Sequence, residues 1–131
     1  MMSEKSVEVI LMRQLAGYLA TPILVVDPAG TLVYFNESAE RLLGRHFDET
    51  GEMPAEAWST IFSPSDRSGT PLPAQDLPIL AALAERRPAH RAFWIRGLDG
   101  QQRYLEVMVF PLIGLEDRNL GGVATVWETQ P

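Results

Sequence analysis

The sequence contains no cysteine. That excludes disulfides, thiol catalysis, thiolate metal sites and any covalent cysteine adduct, and it fits a reducing compartment. Histidine is scarce: His46 and His90 stand alone, without a nearby carboxylate pair, so no metal site is expected. A basic stripe is missing too. Eleven Lys and Arg face seventeen Asp and Glu, for a net charge of −6, and the densest cluster is Arg86, Arg87 and Arg91. No nucleic-acid surface is therefore expected. No apolar run is long enough to cross a bilayer. The leading MMSEKSVEVILMRQL carries acids, and an arginine inside its apolar part, unlike a signal peptide. Glycine-rich phosphate loops, nucleophile elbows and paired-carboxylate spacings are all absent, so no enzyme is read. What remains is the expectation of a soluble cytoplasmic domain with neither nucleic acid nor membrane as partner.

What is present suits one globular domain. The chain has 131 residues, of which 46% are apolar and 21% charged, enough for a core without staples. Residues 4–20 place Val7, Ile10, Leu11, Leu15, Tyr18 and Leu19 at helical spacing, which predicts a leading amphipathic helix ended before Pro22. PILVVD (22–27) and TLVYFN (31–36) read as two strands around an Asp-Pro-Ala-Gly turn. Asn36 is placed to cap a helix buried through Ala39, Leu42 and Leu43 and stopped by Gly44. Residues 45–75 are irregular, with one or two helical turns in PAEAWSTIF (54–62). LPILAALAER (77–86) is helical again, with Asp76 as its expected cap. RAFWIRGL (91–98), RYLEVMVFPL (103–112) and GGVATVWE (121–128) then form a three-strand meander.

The stretches VVDPAGTLVYFNESAERLLG, LPILAALAERRP, LDGQQRYLEVMVFPL and GGVATVWE, in this order, resemble a PAS domain, a sensor module of signalling proteins. The likeness covers residues 22–128. It implies an α+β fold: a five-stranded antiparallel sheet in spatial order 2-1-5-4-3, with short helices on one face. Residues 1–21 would then be an added amphipathic helix and 22–131 the PAS domain. A sensory or regulatory role follows as an expectation, with a homodimer and a linked or docking effector as partners. Bacterial two-component signalling is one such context. The end, Trp127-Glu128-Thr129-Gln130-Pro131, departs from the Asp-x-Thr signature with which many such domains pass into an output helix.

Strand alternation makes both faces of the sheet apolar. Tyr104, Met108 and Phe110, with Glu106 among them, point one way along 104–110, and Trp127 joins them from the last strand. The central helices can cover only one face, so the leading helix is expected over the other, from its own chain or a partner. Val7, Ile10, Leu11, Leu15, Tyr18, Tyr104, Met108, Phe110 and Trp127 are accordingly the candidate dimer interface. Glu106 is expected opposite Trp94 and diagonal to Arg96, as a cross-strand ion pair.

The resemblance puts any ligand between the sheet and the central helices. Leu105, Val107 and Val109 would face that pocket, with Phe93 and Ile95 on one side and Val126 on the other. Leu24, Val26 and Phe35 would come from the first two strands, and Leu80 and Leu83 would close the top. Every one is apolar. This wall weighs against flavin, whose ring carbonyls and N–H groups would each lose about 1–3 kcal/mol unpaired. Haem needs an axial ligand, and His90 is the candidate, set against a reading of both histidines as surface-loop residues. The cofactor is therefore read as none or unknown. A small apolar ligand, a ligandless protein-contact module and a haem sensor are the alternatives.

Overall fold

A computed structural model describes residues 7–131. Positions 4–6 of the predicted leading helix lie outside the described residues. Helix α1 runs Val7–Tyr18, strand β1 Ile23–Val26 and strand β2 Leu32–Phe35. Helices α2 (Glu37–Leu43), α3 (Phe47–Thr50), α4 (Ala55–Ile61) and α5 (Pro78–Glu85) follow. Strands β3 (Ala89–Arg96), β4 (Gln102–Ile113) and β5 (Asn119–Glu128) close the chain. The five strands form one antiparallel sheet in the order β2-β1-β5-β4-β3.

Local chemistry accounts for the breaks between elements. Asp27 Oδ1 accepts the Ala29 and Thr31 N–H groups, and Gly30 supplies the positive φ that the β1–β2 turn requires. Asn36 caps α2 by accepting the Ala39 N–H, and Gly44 ends it in the left-handed region with its N–H on Glu40 O. The predicted Asp76 cap is wrong. Asp76 belongs to a 3₁₀ turn, Leu77 is the N-cap of α5, and Pro78 occupies the first helical turn. α3 was not foreseen. It begins at His46, whose N–H is accepted by the Glu49 carboxylate.

Helices α2–α5 cover the inner sheet face, where Leu24, Phe35, Leu105, Val107, Val109 and Val126 join the main core. A second, smaller core lies on the outer face. There Val9 and Ala16 of α1 pack on Ile23, Val25, Val33 and Val123, with Met12, Tyr34 and Leu112 at its margin. Apart from Leu112, no side chain of β3 or β4 joins this cluster. The expectation that α1 covers the whole second face is therefore corrected: it covers the β2-β1-β5 half.

Asn36 fixes α1 to that half. Its Oδ1 accepts the N–H groups of Ile23 and Ala39, and its Nδ2 donates to the carbonyls of Ala16, Leu19 and Thr21. The side chain is buried and fully paired, so the end of α1, the start of β1 and the start of α2 meet at one residue. Ser38 adds a bond to the Ala20 carbonyl.

Candidate functional site

Between the sheet and the helices lies an apolar cavity of about 70 Å³. Of the residues predicted to face it, Leu24, Phe93, Ile95, Leu105, Val107 and Val126 do so. Val26, Phe35 and Val109 are in the same core but do not line the cavity. Leu80 and Leu83 do not close it either. They lie over the β1–β2 turn, where a Cβ on Gly30 would stand 3.1 Å and 3.8 Å from their methyls. The cover comes from Leu77, Pro78 and Ile79, one turn earlier on α5, and from Trp58 and Phe62. Trp58 is held by its indole N–H on Gly30 O at 2.8 Å. Trp58 and Phe62 come from the stretch that reads as irregular. The signal that could have found them is the i, i+4 spacing of Trp58 and Phe62.

The outer face differs from the sequence expectation in a useful way. The large apolar stripe of α1 points away from the sheet: Val7, Ile10, Leu11 and Leu15 are exposed, and Tyr18 reaches 89% exposure. The smaller residues, Val9 and Ala16, make the seat. On the uncovered half of the sheet Phe110 is 46% and Trp127 40% exposed, with Met108 half-buried beside them. Tyr104 is a correction. It is buried at 9% exposure by an edge-on contact with Trp94 (centroids 5.1 Å apart) and needs no partner to cover it.

Two further corrections concern the polar groups on this face. The β3–β4 register pairs Ala92 with Glu106 and Trp94 with Tyr104, two residues from the expected pairing. The predicted Arg96–Glu106 pair is therefore not formed. Glu106 Oε2 instead stands 3.0 Å from His90 Nε2, and the imidazole stacks on Trp127 at 6.3 Å. His90 is not a loop residue. It sits within β3 on the outer face and cannot reach the inner cavity.

No family model matches the sequence, and no curated protein matches it. Solved structures do match. The PAS domain of nitrogen regulation protein NR(II) from Vibrio parahaemolyticus aligns over 91% of this chain and 98% of its own, at 20% identity and TM-score 0.63. The PAS domain of an HTR-like protein from Haloarcula marismortui covers 92% and 90%, at 19% identity and TM-score 0.61. A Rhodobacter sphaeroides LOV protein reaches TM-score 0.70 at 14% identity, over 91% of this chain and 66% of its own.

The chain has the PAS fold.

Flavin does not fit this PAS core. The lining offers no hydrogen-bonding side chain to a polar ring edge: its one such group, the Trp58 N–H, is already bonded to Gly30. The space is also below the roughly 300 Å³ at which ligand pockets begin. Haem meets the same limit of space, and His90 lies on the far side of the sheet. Among the described residues no group of three or more His, Asp or Glu is placed to hold a metal, and no helix is long and apolar enough to cross a membrane.

Charged contacts elsewhere brace the PAS frame. Arg103 forks onto Asp99 at 2.8 and 3.2 Å and donates to the Leu42 carbonyl at 3.0 Å, tying the β3–β4 turn to α2. The Arg103 hydrogen bonds, with the Gln101 N–H, draw the Asp99 carboxyl down to about 2, and Asp99 in turn raises the Arg103 guanidinium. Burial pushes the Glu40 carboxyl up, but the His46 ring and the Phe47 N–H outweigh it and the net shift is down. The Glu40 hydrogen bond raises His46.

Proposed function

We propose that this chain is a sensory or regulatory module of a signalling protein and that it works as a homodimer. The outward apolar stripe of α1 from each copy would lie on the open β3-β4-β5 half of the other. One observation carries this reading: α1 is apolar on two sides and uses only the side with the smaller residues on its own sheet. A monomer would leave the stripe and the Phe110–Trp127 patch in water together, the kind of surface that drives association. A two-fold axis lets one patch serve both subunits. The occurrence of similar folds in a nitrogen-regulation protein and in LOV proteins supports the regulatory role. An effector that docks on the sheet or follows in the chain would read the change, in a cytoplasmic setting.

Sedimentation equilibrium tests the proposal. The wild type is expected to be a dimer, and Leu11→Arg with Leu15→Arg a folded monomer. A wild type that stays monomeric, or a double variant that dimerises equally well, would remove it.

A second reading is favoured by the wholly apolar cavity: a small apolar ligand held between Val107, Val126 and Ile79. At about 70 Å³ it is less than half the roughly 150 Å³ that admits benzene elsewhere. The ligandless, protein-contact form of the module therefore takes precedence. Native mass spectrometry of purified protein separates the two, since a co-purified small molecule favours the ligand reading.

A further inference from the structure

The open half of the outer face carries Trp94, Tyr104, Met108, Phe110 and Trp127, with Thr125 on β5, Arg96 and Gln102 at one end, and the His90–Glu106 pair among the apolar residues. Glu106 is the sole carboxylate at an outward register position on β3, β4 and β5 among the described residues. It is mostly buried, lies opposite Ala92 and Trp127, and has Tyr104 and Met108 on either side along its strand. His90 reaches it at 3.0 Å and is half-exposed. The ring rests almost parallel on Trp127, at 21°, which fixes its orientation towards the carboxylate.

We propose that His90 and Glu106 make self-association respond to pH, the dimer binding a proton more tightly than the monomer does. This rests on the reading of the open sheet half as the dimer surface. Association strips water from Glu106. With a neutral imidazole beside it, the interface would enclose one uncompensated negative charge, which is costly in a dry setting. A protonated imidazole turns that charge into a pair.

The dimer must therefore hold the His90 proton more tightly than the monomer does. By linkage, association is strongest where His90 is charged in both states and weakens as pH rises through the range where imidazoles titrate, between about pH 5 and 8.

The nearest other charges are Arg91 on β3 and Asp66 and Arg67 on the loop beside it, which border Ala92 and Tyr104; Asp66 is bonded to Ser68 and Thr70, and the ion pair Glu106 makes is with His90. Arg96 lies six residues along β3, at the opposite end of the strand. Arg87 pairs with Glu85 and Arg86 with Asp117 at the end of α5. On α1, Glu8 faces Arg118, while Arg13 lies over Tyr34 and Phe47.

The test is sedimentation equilibrium of the full chain at about pH 6 and about pH 8. The wild type is expected to dissociate on the order of tenfold more readily at the higher pH, as about one unit of pKa difference summed over the two equivalent sites requires. Glu106→Gln should lose or reverse the response and associate at least as tightly as the wild type at the higher pH. His90→Gln should lose the pH response, and His46→Gln should keep it, His46 being the other histidine. Both altered side chains reach solvent, so neither change empties the core. A wild-type dimer indifferent to pH, or a response that survives His90→Gln, would overturn the proposal and leave the dimer reading standing. A monomer at both pH values would remove the dimer reading itself.

Discussion

An alanine at position 36 would leave the N–H groups of Ile23 and Ala39, and the carbonyls of Ala16, Leu19 and Thr21, without their shared partner. Loss of a helix cap plus unpaired buried groups puts the expected cost of Asn36→Ala near 3 kcal/mol in urea unfolding. Asn36→Asp separates two roles. It keeps the acceptor that caps α2 but sets an oxygen against three carbonyls, so it should still destabilise and should speed amide exchange in α1. Wild-type stability for Asn36→Asp would show that the cap alone matters. The capping role was legible because it is local, three residues away. The tie to α1 was not, because its partners lie up to twenty residues back and emerge only from packing. The cavity offers a second residue-scale test. Val126→Ile adds one methylene to its wall and should raise stability by up to about 1 kcal/mol. A loss of stability would mean that the space is not free to be filled.

At the scale of elements, α1 illustrates where hydrophobic periodicity misleads. The stripe with the most apolar bulk was assigned to the sheet, yet close approach selects small residues. A Cβ on Gly17 would stand 3.6 Å from the Tyr34 hydroxyl, and Ala16 is buried beside it. Ala16→Leu should therefore overpack this seam and cost about 1–3 kcal/mol, measured by thermal or urea unfolding. An unchanged midpoint would show that the seam is loose.

The β3–β4 hairpin erred differently. Its strands, turn and faces were legible, and the two-residue slip preserved every inward and outward assignment. The cross-strand neighbours changed because Leu98 leaves the ladder, its N–H donating to Leu43 O while Asp99 binds Arg103. That loop-to-helix tie is not visible in local periodicity. Its consequence is that Glu106 meets His90 and not Arg96.

For the whole molecule, pH reports on the braces that hold the frame. Asp99 is lowered from 3.8 to about 2 in the folded chain. A depressed carboxylate contributes stability above its unfolded value and loses it as pH falls through the folded one. The stability difference between wild type and Asp99→Asn should therefore shrink between pH 3.8 and about 2. A difference that is constant with pH would assign the effect to the hydrogen bonds alone.

His46 and Glu40 shift in opposite directions. The raised His46 stabilises fully below 6.5, and the lowered Glu40 stabilises above 4.5, so the pair contributes most between those values.

The order of strands and the apolar inner wall could be read from the sequence because alternation and turns are local signals. Coverage of the outer face could not, since it depends on where one helix ends and whether a second copy completes it. The most direct measurement uses the absence of native cysteine. A single spin label at Leu11→Cys, on the outward side of α1, should show dipolar coupling to its counterpart in the other subunit, lost on mixing with excess unlabelled protein. A dimer in solution without coupling at that position would place the contact elsewhere and contradict the account.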